Sequence, residues 1–174
     1  MMILPAFPLG TARPSLWKAG VVEQRAAELP DAEGMRSYTA RFVTDMSERS
    51  RLPLDYTVAS LRLVDLVVDG LRRNRPVRAG VDRFLHGLGA YTGEVMVRRA
   101  GARWVDLDAG QREMFGQPVG VRMPDGRVWN PLGKVVKRFE HGPGESIERF
   151  YLLLHGRQPP GSRRGAAQRA ACGR

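Results

Sequence analysis

The sequence predicts an α+β fold in which helices flank a small antiparallel three-stranded meander, with an N-terminal helical appendage. From Leu52 to Arg99, apolar residues recur every three or four positions, which is typical of amphipathic helices. After Gly101, apolar and polar residues alternate as in half-buried strands, and helical spacing returns after Pro131. Helices followed by consecutive strands and then by further helices indicate an α+β architecture.

The first fifty residues are predicted to form an irregular arm and two weakly patterned helices. Proline stands at three of the first fourteen positions, where it fixes φ and removes backbone donors. Ser15 is a plausible N-cap for a helix that continues to about Leu29, and Pro30 stops it. A second helix is predicted after Asp31, with apolar residues three to four positions apart at Met35, Tyr38, Phe42 and Met46.

The first strongly patterned helix is predicted to follow Thr57, a plausible N-cap, and to end at Gly70 and Asn74 before Pro76. Its apolar positions lie on one face, and its charged positions lie elsewhere. The apolar face consists of Val58, Leu61, Val64, Val68 and Leu71.

The next helix is predicted from about Val81 to Arg99, and glycine is unusually frequent in its interior. Gly87, Gly89 and Gly93 each cost up to about 1 kcal/mol of helix stability relative to alanine. Gly89 and Gly93 are four residues apart and share a face of the helix. We therefore expect a neighbouring element to pack closely against the backbone there.

Three strands are predicted after Gly101, at residues 104–107, 119–123 and 127–129. Asp125-Gly126 lies between the last two strands, and this dipeptide is a strong signal for a hairpin turn.

Two further helices complete the predicted core. One begins at Pro131 and is closed by His141-Gly142, and the other begins at Glu145 or Ser146 and ends at Gly156. We divide the chain into an arm with weak helices at 1–50, an α+β core domain at 51–156, and a disordered basic tail at 157–174.

The chain is strongly basic, with 28 Lys and Arg against 18 Asp and Glu, a net charge of +10 and a pI near 10.9. Half of this excess comes from five arginines in the last twenty-four residues, which contain no acid. A solvated surface and an anion-binding surface are both open interpretations, because charge alone does not specify a nucleic acid. No nucleic-acid-reading motif accompanies the clusters. The candidate polyanion contacts are Arg72, Arg73, Arg75, Arg78, Arg163 and Arg164.

Motifs for common chemistries are missing from the sequence. It contains neither a nucleophile elbow nor a phosphate-binding glycine loop, and its three histidines (His86, His141 and His155) lack metal-ligand spacing. We therefore predict no metal and no cofactor. The single Cys172 cannot form an intrachain disulfide, which fits a reducing cytoplasm, and no apolar run approaches the roughly 18 residues of a membrane span.

Glu94 is the polar residue that most needs an explanation, because it lies on the glycine-containing helix beside apolar neighbours. One interpretation is a surface ion pair with Arg98, four residues later. A second is a partly buried carboxylate that meets a cation from another element, such as Lys134 or Lys137. A third is a catalytic carboxylate, although no second acid or base stands at a suitable spacing.

Three segments of the chain resemble a bacterial family of domains of unknown function: LDYTVASLRLVDLVVDGL, LGAYTGEVMVRRAGARWV and NPLGKVVKRFEHGPGESIERFY. The family's marks are L-D-Y-S-x-x-S-L, L-G-x-[FY]-L-G-E, G-G-x-W, a K-V-x-K helix and D-S-[IL]-x-x-F-Y. The resemblance covers about residues 52–151, with departures at Thr92, Ala102 and Glu145. The matching positions are Asp55, Tyr56, Ser60, Leu61, Gly89, Gly93, Glu94, Trp104, Lys134, Lys137, Ser146, Phe150 and Tyr151.

The resemblance implies a fold but no activity, and it leaves Glu94 and Lys134 as the matched polar residues without an obvious structural role. The sequence favours a non-enzymatic domain of the cytoplasm that binds a protein or ligand. The alternative is an accessory protein held on nucleic acid or another polyanion by its arginine-rich loop and tail. An enzyme using Glu94 and Lys134 is the third possibility. The sequence indicates no oligomeric state.

Overall fold

The computed structural model describes residues 29–74 and 81–155 of the chain. They form six α-helices and a three-stranded antiparallel sheet, so the predicted α+β class is confirmed. The elements in chain order are α1 (Met35–Ser50), α2 (Leu61–Arg73), α3 (Asp82–Ala100), β1 (Arg103–Asp106), α4 (Ala109–Phe115), β2 (Val119–Arg122), β3 (Val128–Trp129), α5 (Pro131–His141) and α6 (Ile147–His155), with a 3₁₀ turn (Pro143–Glu145) before α6.

Helix α3 is the centre of the fold, and its glycines allow its neighbours to approach closely. A Cβ atom on Gly89 would lie 2.6 Å from the Cα of Leu132 on α5, and one on Gly93 would overlap the ring of Trp104. In both cases the added Cβ would be far closer to its neighbour than a normal carbon–carbon contact allows. The predicted close packing along this helix is therefore confirmed.

Helix α1 packs against the same central helix. Met35 is fully buried in a cluster with Ala90, Val119 and Leu132, and the Phe42 ring occupies the space that a Cβ on Gly87 would take. Residues 35–50 thus contribute to the core. The domain boundary at residue 50 stays a prediction. The predicted helix at 15–29 and the basic tail at 157–174 lie outside the described residues.

The sheet is a meander in the order β1-β2-β3, as predicted. Trp104 lies opposite Val121, and Val121 lies opposite Trp129, so these three side chains share the face that packs on the helices. The hairpin turn between β2 and β3 places Gly126 at a φ of +86°, a conformation that glycine adopts without strain. The Asp-Gly hairpin prediction is confirmed.

Two local features differ from the sequence prediction. Helix α4 was not predicted, although Asp108 and Gln111 form a complete capping box at its start. Helix α2 begins at Leu61 because residues 57–60 form a turn instead, in which the Thr57 hydroxyl accepts a hydrogen bond from the Ser60 N–H. The predicted N-cap at Thr57 was therefore wrong by three residues.

Candidate functional site

Glu94 is buried on α3, with only 1% of its side chain exposed, and both carboxylate oxygens have partners. Arg98 donates from Nε to Oε1 at 2.9 Å, and Arg36 of α1 lies 3.6 Å from the same oxygen. The Trp104 indole N–H donates to Oε2 at 3.4 Å. The i,i+4 pair with Arg98 therefore forms, but with a buried carboxylate and not as the surface pair considered from the sequence. A cation from another element is also present, and it is Arg36 instead of the expected Lys134 or Lys137.

Lys134 on α5 has a different carboxylate partner. Its Nζ lies 2.5 Å from Oε2 of Glu145 and 5.3 Å from the centre of the Phe150 ring. The hydrogen bond and the positive charge of Lys134 lower the pKa of Glu145. The structure thus assigns separate partners to Glu94 and Lys134, and it does not join them as the pair that the sequence analysis singled out.

The arginines singled out as polyanion contacts are only partly described. Arg72 is half-buried and donates from Nη1 to the backbone carbonyl of Arg138 at 3.1 Å, which gives it a structural contact. Arg73 is exposed at the end of α2. The other candidates lie outside the described residues: Arg75, Arg78, Arg163 and Arg164.

The most extensive buried polar cluster was missed by the sequence analysis. Arg138 on α5 is 3% exposed and donates from Nε to Asp65 at 2.8 Å and from Nη2 to Asp69 at 2.7 Å. The third guanidinium nitrogen, Nη1, is buried and has no hydrogen-bond partner within the described part of the chain. Two carboxylates of α2 therefore hold one cation of α5 inside the fold.

Asp65 also caps helix α6 from a distance of about eighty residues along the chain. Its carboxylate accepts hydrogen bonds from the Ile147 N–H at 2.9 Å, the Glu148 N–H at 3.3 Å and the Ser146 hydroxyl at 2.8 Å. A helix start leaves four N–H groups without internal partners, and a carboxylate there satisfies some of them. The available sequence signal was the pair Asp65 and Asp69, four residues apart on an amphipathic helix.

A second buried polar cluster joins the start of α2 to α3. The Ser60 hydroxyl donates to the Thr57 carbonyl, so the Tyr91 hydroxyl donates to Ser60 at 2.5 Å. The same Tyr91 oxygen accepts from the Tyr56 N–H at 2.9 Å. Burial raises the pKa of Tyr91. This arrangement holds Tyr56 at a φ of +58°, which is uncommon for a tyrosine.

Arg98 connects this cluster to Glu94. Its guanidinium carbon lies 3.6 Å from the centre of the Tyr56 ring while its Nε bonds Glu94. Arg99 donates to the Tyr56 carbonyl at 2.9 Å. The matched residues Tyr56, Ser60 and Glu94 thus belong to one connected set of contacts that fixes the turn before α2 onto α3. This geometry favours a structural role for Glu94.

Within residues 29–74 and 81–155, no group of three or more His, Cys, Asp and Glu side chains is arranged to hold a metal ion. Over the same residues, none of the helices combines the length and apolarity that crossing a bilayer requires. Comparisons with protein-family models, curated proteins and solved structures found no match to this chain. The resemblance to a bacterial family therefore stays a prediction.

Proposed function

We propose that this chain is a non-catalytic binding domain of the cytoplasm that acts through contact with a protein partner. Three charged groups in the interior or at its edge are engaged in internal pairs: Glu94 with two arginines, Lys134 with Glu145, and Arg138 with two aspartates. Such pairing favours a structural role for these groups.

The observation that carries this proposal is a set of exposed leucines on two helices that pack together. Leu66 on α2 is 62% exposed, and Leu152 and Leu153 on α6 are 54% and 55% exposed. An ion pair between Arg62 and Glu148, 3.5 Å apart, links the same two helices at the surface. Leu66 and Leu152 each lie one helical turn beyond a member of that pair, so they flank it.

We call the surface formed by Leu66, Leu152 and Leu153 the leucine face. The partner that fits it is a protein with an apolar surface and a polar rim. Fully burying an exposed leucine side chain contributes roughly 1.5–3 kcal/mol, and each of these leucines has a little more than half of its surface left to bury. Three such leucines and a peripheral ion pair suit a specific contact. Because this contact is mainly apolar, its affinity should depend only weakly on salt.

The test is capture of a partner from a lysate of the source organism with the full chain, at about 0.1 M and 0.5 M salt. We expect one set of proteins to bind at both salt concentrations, and the variants Leu66→Glu and Leu152→Glu to lose it. Met114→Glu is the matched control, because Met114 is 76% exposed on α4, on another part of the chain. Binding that survives both leucine variants, or equal loss with Met114→Glu, would contradict the proposal.

Light scattering on the same proteins distinguishes a second copy of the chain from a different partner. If wild type is a dimer and Leu66→Glu is a monomer, the partner is another copy, and the leucine face is still the contact. If wild type is monomeric and the captured proteins depend on the leucines, the partner is another protein.

Polyanion binding is a second candidate function, and the distribution of charge favours the segments outside residues 29–74 and 81–155 as its source. The described residues carry 18 basic and 16 acidic side chains, a net charge of +2. The remaining segments carry the other +8 of the chain. Contacts made by these segments should weaken steeply with salt.

This second candidate is tested with a single-stranded oligonucleotide at increasing salt. We expect a chain ending at residue 156 to lose most of the affinity, and Arg163→Gln with Arg164→Gln to lose part of it with a shallower salt slope. An affinity that is independent of salt or of the tail would contradict it.

A further inference from the structure

Two arginines lie directly opposite each other in the sheet. Arg103 of β1 and Arg122 of β2 are register partners, next to the pair formed by Trp104 and Val121. Side chains alternate between the two faces of a strand, so the arginines point away from the face that packs on the helices. Directly opposed side chains have Cβ atoms about 4.5–5.5 Å apart, and two like charges in this arrangement destabilise a sheet.

Neither arginine has an ion-pair partner among the residues that the structure describes. The Nε of Arg122 is moreover buried and has no hydrogen-bond partner there. Arg138 also has one buried nitrogen without a partner, but each of its other two nitrogens bonds a carboxylate. A buried donor without an acceptor costs about 1–3 kcal/mol, so Arg122 carries this desolvation cost. The pair also carries the repulsion of two like charges, which the exposure of Arg103 to water reduces.

We propose that Arg103 and Arg122 form a binding site for an oxyanion of the phosphate class on the outer face of the sheet. An anion between the two guanidinium groups would neutralise their repulsion and accept hydrogen bonds from both. Half-buried Val105 follows on β1 and half-buried Val128 lies beside Arg122 on β3. These apolar neighbours lower the local dielectric constant, which strengthens charged hydrogen bonds.

Phosphate fits this pair better than a carboxylate does. A phosphate monoester carries about −1.5 to −2 charges near neutral pH and offers three strong acceptor oxygens. A single carboxylate carries one charge, and one guanidinium already satisfies both of its oxygens. This site lies on the sheet, so it is separate from the exposed leucines on α2 and α6.

The proposal is tested by titrating the full chain, labelled with ¹⁵N-arginine, with inorganic phosphate at constant ionic strength. We expect a saturable shift of the Arg122 Nε–H signal, which is assigned by its loss in Arg122→Gln. In Arg103→Gln the affinity reported by this signal should fall about tenfold or more, since one set of charged hydrogen bonds is removed. Arg122→Lys, which keeps the charge without the planar fork, should bind more weakly than wild type and more tightly than Arg122→Gln in calorimetric titrations.

Arg149→Gln is the matched control, because Arg149 is exposed on α6 and its loss changes the net charge equally. A second titration with a short single-stranded oligonucleotide separates free phosphate from a phosphodiester. A saturable response to either probe that depends on both sheet arginines supports the site and identifies its source. The absence of a saturable response to both probes, or equal weakening in Arg149→Gln, would overturn it. Melting temperatures of all variants establish that each is folded.

Discussion

Arg138 and the sheet arginines show how differently one residue type is used within this fold. Arg138 lies in the interior between Asp65 and Asp69, and the same Asp65 caps α6, so the charge is paired where it is buried. Arg103 and Arg122 face each other without a carboxylate in the described part of the chain. The difference indicates that the interior charges stabilise the fold, whereas the outward pair is available to a ligand.

The same contrast extends to the rest of the polar residues. Glu94, Ser60 and Tyr91 have their hydrogen-bonding groups engaged inside the fold. Residue types with catalytic potential are therefore placed here as structural links between helices. The apolar side chains left at the surface, such as Leu66, have no such internal role.

The largest expected effect comes from removing the interior cation. Arg138→Ala leaves the carboxylates of Asp65 and Asp69 partly buried without their partner, and breaking such a pair costs about 3–5 kcal/mol. Urea unfolding followed by circular dichroism measures this loss. The neighbouring Lys137→Ala, on the exposed side of α5, should change the free energy of unfolding by no more than about 0.5 kcal/mol. Equal effects of the two substitutions would show that the interior cluster is not special.

A smaller effect is expected from crowding the centre of α3. In Gly89→Ala, the new Cβ meets the Leu132 backbone, which cannot move without displacing α5, so we expect a loss of about 1–3 kcal/mol. Gly70→Ala on α2 is the matched control, since no atom lies within 4 Å of its Cβ position. There, alanine should raise stability by up to about 1 kcal/mol through its better helix propensity. Thermal unfolding of both variants compares the signs, and a stabilised Gly89→Ala would refute the close packing.

Glu94 combines features of the interior cluster and of the surface, because its carboxylate is buried while Arg36 and Arg98, which pair with it, are exposed to solvent. Glu94→Gln keeps the volume but removes the charge that accepts from Arg98, so we expect a loss of about 1.5 kcal/mol in urea unfolding. Arg36→Ala should cost less than about 0.5 kcal/mol, since Arg36 is 72% exposed and its pair is screened by water. If Glu94→Gln were as stable as wild type, its buried contacts would not contribute to the fold.

The helices, the meander and the glycine contacts follow from local sequence signals. The spacing of apolar residues, the capping of helix ends and the Asp125-Gly126 turn each involve residues close together in the chain. They can therefore be predicted without the tertiary structure. The polar clusters could not be predicted in this way. The pairing of Arg138 with Asp65 joins residues 73 positions apart, and nothing local in the sequence indicates which acid an arginine will meet.

The sheet arginines illustrate an intermediate degree of predictability. Residues 104–107 and 119–123 were predicted as strands, but the opposition of Arg103 and Arg122 depends on the register between those strands. If the pairing register of one strand shifted by one residue, a different side chain would lie opposite each arginine. All side chains of the shifted strand would also change to the other face of the sheet. Likewise, the partners of Glu94 and Lys134 were set by helix packing, which assigned them to Arg36 and Glu145.

The most direct test of the contrast between interior and outward charges is the free energy of unfolding of Arg103→Gln in chloride buffer without phosphate. Removing one of two opposed charges should leave stability unchanged or raise it by about 0.2–1 kcal/mol. A loss comparable to that of Arg138→Ala would contradict the account, because it would show that the outward pair also holds the fold together.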